Sequence, residues 1–125
     1  MSLAFRAEEY GLGDDYEYYE THPTNAAVLF LGDVWLTDEE IAPLRFMSEL
    51  TVLGLNDCLY ITDVSVLSEL TNLRQLYLSG NQITDLTPLY NLKNLQHLTI
   101  VDNPVSMEQI NAFKAAVPNC EVWSD

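Results

Sequence analysis

Residues 73–94 read LRQLYLSGNQITDLTPLYNLKN, with apolar side chains at Leu73, Leu76, Leu78, Ile83, Leu86, Leu89 and Leu92 and an asparagine, Asn81, between the two groups. The same set recurs upstream. The unit 50–72 repeats it as Leu50, Leu53, Leu55, Cys58, Ile61, Val64, Leu67 and Leu70, with one extra residue in CLYITD against NQITD. A looser copy at 26–49 has Ala26, Leu29, Leu31, Val34, Leu36, Ile41, Leu44 and Met47, with two residues inserted in LTDEEIAPL. A fourth unit, 95–125, begins with Leu95, Leu98, Ile100, Asn103 and Val105 and then departs from the pattern. A fixed period decides an architecture before any single residue does, because each unit buries its apolar face only against the next.

Each part of the unit has a physical reading. Alternation in L-x-L makes a short strand with one buried face, and stacked copies make a parallel sheet. The asparagine has a donor and an acceptor for backbone groups left open where the chain leaves the strand. Asn81 and Asn103 can do this, whereas Val34 cannot and Cys58 departs from the pattern. TDLTPL offers Asp85 and Thr87 as helix-start acceptors and Pro88 for a first helical turn, with Ser65 and Pro43 at matching places. Short helical turns are expected on the outer side. In the last unit Ser106 and Gln109 have capping-box spacing, and Met107, Ile110, Phe113 and Val117 share a helical face. Pro118 ends that helix, and CEVW supplies a terminal strand with Cys120 and Val122 inward, so the end of the stack is closed.

With these residues in view, the chain resembles the leucine-rich repeat family, in the 22-residue form of internalins and of the leucine-rich regulatory subunit of protein phosphatase 1. The pieces that carry the likeness are LRQLYLSGNQITDLTPLYNLKNL, LTVLGLNDCLYITDVSVLSELTNL and NPVSMEQINAFKAAVPNCEVW. The resemblance implies an α/β fold, a right-handed solenoid with a short parallel sheet on the concave side and helical turns on the convex side. It also implies a concave binding face.

Composition narrows the function. The 125 residues fit one domain, and a formal net charge of −14 with a pI near 4.1 repels phosphate backbones and anionic lipid. No nucleic-acid or membrane partner is expected. The chain start has no signal-peptide-like run and no segment approaches membrane-spanning length, which reads as a cytoplasmic protein. Cys58 and Cys120 lack metal-ligand spacing and, three strands apart in the stack, are too far for a bridge. Residues 1–25 stand outside the repeat as an acidic, tyrosine-rich arm or cap. Between Glu8 and Glu20 lie six acids, four tyrosines and no basic residue, read as a solvated arm partly covering the first repeat or, more sharply, as a grip on a basic partner.

No nucleophile elbow, phosphate loop, zinc helix or calcium loop occurs, and no cofactor is expected. His97, outward on a strand, reads as a surface residue; an enzyme reading would need it with a carboxylate in an enclosed pocket. Recognition has better residues. Outward strand positions include Phe30, Asn56, Tyr77, His97, Glu121 and Trp123, the last unit contributing Asn119, Glu121 and Trp123 as its three. Asp33, Asp57 and Asp102 form a column along the sheet edge, interrupted by Gly80, with Trp35 and Tyr60 in adjoining loops. Aromatics flanked by carboxylates suit a protein partner rich in Lys or Arg. The expected function is a non-catalytic protein-protein interaction module. A more specific alternative is an immunity protein or antitoxin that neutralises a basic toxin such as a nuclease.

Overall fold

The computed structural model describes residues 1–7 and 18–125. β1 (Ser2–Ala7) and β2 (Tyr18–Pro23) pair antiparallel as a hairpin, with Leu3 opposite His22 and Phe5 opposite Glu20. The described part of 1–25 covers the first repeat, but as a paired hairpin rather than a solvated arm. The reason is Phe5, whose ring is 1% exposed and joins the core of the first repeat, with Leu3 packed beside it. Burying such a ring contributes about 1.5–3 kcal/mol. Arg6 fastens the hairpin, donating from Nε to Glu40 Oε2 at 2.8 Å, from Nη2 to Glu40 Oε1 at 3.0 Å, and to the Trp35 carbonyl. Of the residues behind the grip reading, Glu8 to Glu17 lie outside the described residues, while Tyr18, Tyr19 and Glu20 belong to β2.

The repeats follow as β3 (Val28–Phe30), α1 (Asp38–Ile41), β4 (Val52–Gly54), β5 (Gln75–Tyr77), β6 (His97–Thr99), α2 (Met107–Ala116) and β7 (Glu121–Trp123). The five later strands form one parallel sheet in chain order. Leu29, Leu53, Leu76, Leu98 and Val122 stand side by side on its inner face. One-turn 3₁₀ segments at Ala42–Phe46, Ser65–Leu67 and Thr87–Leu89 return the chain on the convex side. Asp63 and Asp85 open two of these turns by accepting from Ser65 N at 2.8 Å and Thr87 N at 2.9 Å. The inward leucines and isoleucines of 26–100 are buried as their spacing requires.

Polar ladders join the coils. Asn81 Nδ2 donates to Leu55 O and Leu78 O, both at 2.9 Å, and Asn103 Nδ2 donates to Leu78 O at 2.8 Å and Ile100 O at 3.2 Å. Cys58 takes the same post, its thiol 3.7 Å from Leu31 O, so it departs from the asparagine pattern in strength rather than in direction. A second ladder, unforeseen from the sequence, runs on the returning side: Asn72 Nδ2 to Ser48 O and Asn94 Nδ2 to Thr71 O, both at 3.0 Å.

The end cap is α2. Ser106 Oγ accepts from Gln109 N at 3.2 Å, but the reciprocal half of the expected box is absent. Gln109 Oε1 instead accepts from Leu86 N at 3.0 Å and ties the cap to the preceding coil. Ile110, Phe113 and Val117 are buried, whereas Met107, expected beside them, is exposed because it stands over a cavity rather than against packed side chains. The complete capping box belongs to α1, where Thr37 and Glu40 bond reciprocally.

Candidate interaction surface

The strand register assigns every outward residue to a row across the concave face. One row is Val28, Val52, Gln75, His97 and Glu121; the next is Phe30, Gly54, Tyr77, Thr99 and Trp123. Glu121 and Trp123 thus stand two places earlier in the register than the sequence spacing suggested, and Asn119 falls before the strand. The cause is the turn after α2, which replaces the usual return segment.

Phe30 and Trp123 are exposed, and Phe30 stacks on Tyr77 with centroids 6.3 Å apart. Gly54 makes that contact available, since a Cβ there would lie 2.3 Å from Phe30 Cδ1. Tyr77 Oη donates to Gln75 Oε1 at 2.9 Å, and Trp123 Nε1 donates to Glu121 Oε1 at 3.0 Å. Both aromatics are therefore held by hydrogen bonds on the sheet, Tyr77 half-buried under Phe30 and Trp123 exposed. His97 Nδ1 lies 3.4 Å from Glu121 Oε2. A carboxylate does contact the histidine, but the pair sits on the open sheet rather than in an enclosed pocket. A cavity of about 180 Å³ lies elsewhere, between Ile100, Asn103, Val105, Met107, Ile110, Ser124 and Asp125. Among the described residues no cluster of three or more His, Cys, Asp or Glu could hold a metal.

Asn56 supports the backbone of the next coil. Its Oδ1 accepts from Ser79 N at 2.9 Å, and Ser79 Oγ accepts from Val101 N at 3.1 Å. The aspartate column also answers a backbone need. Asp33, Asp57 and Asp102 have φ of 64°, 58° and 57°, and Gly80, which interrupts the column, has 74°. All four occupy the left-handed region, where Gly, Asn and Asp are tolerated and branched residues are not. The column is thus required by the backbone as well as contributing charge.

Charge is not in the hollow. The two central rows carry Glu121 with His97 beside it and no other charged residue. The carboxylates collect on the segments that leave the strands: Asp33, Asp38, Glu39 and Glu40, then Asp57 and Asp63, then Asp85, then Asp102 and Glu108. Arg45, Arg74, Lys93 and Lys114 stand on the segments that return, at the opposite edge, together with Glu49 and Glu69, while Arg6 of the hairpin reaches the exit side at Glu40 and Trp35. The molecule has a neutral aromatic floor, an acidic exit edge and a return edge that holds these four basic residues.

Trp35 and Tyr60 meet edge to face on the exit edge, 6.1 Å between centroids, and are 59% and 54% exposed. Both lie in loops that lack the ladder asparagine. There the backbone closes its own tight turn, Leu36 N to Val34 O at 2.7 Å and Tyr60 N to Cys58 O at 2.8 Å. The extra residue of the second repeat places Leu59 at φ 67°, a conformation that costs a leucine about 1–2 kcal/mol. Leu59 is partly exposed beside the aromatic pair and was not among the expected contact residues. Its only sequence signal is that one-residue excess. Beneath these loops burial pushes the Cys58 thiol up to about 12, with the charges of Asp33 and Asp57 acting in the same direction.

Comparison with known proteins follows the same lines. A family model described as Leucine Rich repeats (2 copies) matches residues 71–115. Among solved structures, internalin C2 of Listeria monocytogenes is 37% identical, with a TM-score of 0.68 over 79% of this chain and 41% of that one. An internalin (inlF) of the same organism is 29% identical, with a TM-score of 0.72 over 80% of this chain and 28% of its own. A leucine-rich repeat protein of Leptospira interrogans is 25% identical, with a TM-score of 0.64 over 76% of this chain and 24% of that one. Curated protein sequences give no match. The chain spans less than half the length of these three structures. The repeat period, the asparagine rungs, the parallel sheet and these likenesses agree, and the chain belongs to the leucine-rich repeat family.

Proposed function

We propose that this chain is a non-catalytic interaction module that binds another protein through its concave face, with Phe30, Tyr77 and Trp123 as anchors. The observation that carries this reading is the floor itself: exposed Phe30 and Trp123 beside half-buried Tyr77, two of the three rings held in place by neighbouring polar side chains, on a sheet with almost no charge. Aromatic side chains held in advance give large contact area at small entropic cost, the usual make-up of an interface hot spot. Family membership supports the same reading. The test is affinity capture from the native source with the parent protein and a Tyr77→Ala, Trp123→Ala variant. Loss of the captured protein is expected; capture that is unchanged in the variant overturns the concave assignment.

The acidic exit edge favours a narrower second version, in which the partner is a basic toxin such as a nuclease and this chain neutralises it. Co-purification at low salt with basic effectors encoded nearby tests that version, and the absence of any complex removes it.

A further inference from the structure

The exit edge holds a second apolar surface that the concave reading does not use. Trp35, Leu59 and Tyr60 project from the first two repeats, next to Asp33 and Asp57 on the same loops. Those loops touch, with Asp33 N donating to Asn56 O at 2.9 Å, so the residues form one patch rather than two. We propose that this patch is a docking site for an extended arginine-rich segment of a partner protein. The proposal rests on the interaction-module reading and adds a site and a chemistry to it.

Charge complementarity selects the occupant. The patch lies on the edge that gathers Asp33, Asp38, Asp57 and Asp63, while Arg45 and Arg74 of the same repeats lie on the other edge. An uncharged apolar partner would strip water from these carboxylates without replacing its hydrogen bonds. A nucleic acid or a second copy of this chain, with net charge −14, would be repelled. A guanidinium suits both halves of the patch: its flat face stacks on an indole or phenol ring, and its edge offers paired donors to a carboxylate. An ammonium is more strongly hydrated and has no such fork. Arginine is therefore preferred over lysine.

The protein's two tryptophans report separately on the two surfaces, Trp35 on the exit edge and Trp123 on the concave floor. In ¹H–¹⁵N spectra of the labelled full chain, a short peptide of alternating arginine and glycine is titrated at low salt. The Trp35 indole signal is expected to move saturably while that of Trp123 stays. Trp35→Ala with Tyr60→Ala weakens binding about tenfold. Asp33→Asn with Asp57→Asn, which keeps side chains tolerated at positive φ, also weakens it, and the matched lysine–glycine peptide binds several-fold less well. Equal movement of both indoles, movement of neither, or unchanged affinity in the aromatic double variant overturns the proposal. Capture that still depends on Tyr77 and Trp123 would then leave the concave reading standing, so the two failures are separable.

Discussion

Asp57 shows how one residue can serve the backbone and the surface together. Its φ of 58° needs a residue that tolerates the left-handed region, and its carboxylate adds to the exit-edge charge. Asp57→Val, branched at Cβ, is expected to lower unfolding free energy by about 1–2 kcal/mol, while Asp57→Asn stays close to the parent. Urea titration checks both, and equal stability of the two variants would contradict the backbone account. Cys58 is the other instructive position. Its thiol is raised to about 12 and that of Cys120 to about 11, burial being the first cause in both. An unfolded thiol ionises near 9, so above that pH the unfolded chain has released protons that the folded chain retains, and stability falls as pH rises. Thermal melts are expected to decline between pH 9 and about 11 or 12, and Cys58→Ala to flatten part of that decline. Both thiols are free in the fold and should react with a thiol reagent quickly in urea and slowly in native buffer.

At the scale of elements, the hairpin of β1 and β2 is a structural cap, and its worth is testable. Phe5→Ala removes a ring from a closed core and is expected to cost about 3–5 kcal/mol by urea titration; a cost below about 0.5 kcal/mol would mean that the hairpin is a mere appendage. Arg6 and Glu40 join the hairpin to α1 at the half-exposed surface, where such a pair contributes little by itself, about 0–1 kcal/mol. It does leave a pH signature. The bond from Arg6 holds the Glu40 carboxyl below its ordinary 4.5, so its contribution is present above that pH and is lost as pH falls through the lowered value. Glu40→Gln is expected to lower stability slightly above about pH 6, where the contribution is present, and to converge with the parent at low pH, which makes the acid limb of the stability profile shallower, as read by thermal melts. The hairpin was hidden in the sequence because the acids and tyrosines between Glu8 and Glu20 dominate that segment, while the anchoring side chains, Phe5 and Arg6, sit before it. α2 was easier to see, yet Met107 and Gln109 went elsewhere: a helical face says what is apolar, and only the neighbouring coil says how far it is covered.

For the whole molecule, the separation of charge matters more than its sum. A net charge of −14 does not say where the charge sits: the hollow is nearly neutral and aromatic, and most of the carboxylates among the described residues lie on the exit edge. Surface charge is screened by salt and apolar contact is not. A partner held by Phe30, Tyr77 and Trp123 should keep its affinity within about twofold between about 50 mM and 500 mM salt, and one held by the exit edge should lose about tenfold or more, as titration calorimetry would read. The 22-residue period, the inward set from Leu29 to Ile100 and the rungs at Asn81 and Asn103 were legible without coordinates, since a repeat fixes which side chains share an interior whatever the exact path between them. Aromatic outward positions were legible too, because a strand alternates its faces. What needed the tertiary structure was everything set by contact between coils. The two-place shift of Glu121 and Trp123, the stack of Phe30 on Tyr77 across Gly54, the meeting of Trp35 with Tyr60 and the docking of Phe5 each join residues far apart in the chain. Periodicity carries the direction of a side chain, but its neighbour is decided by how the turns between strands are closed.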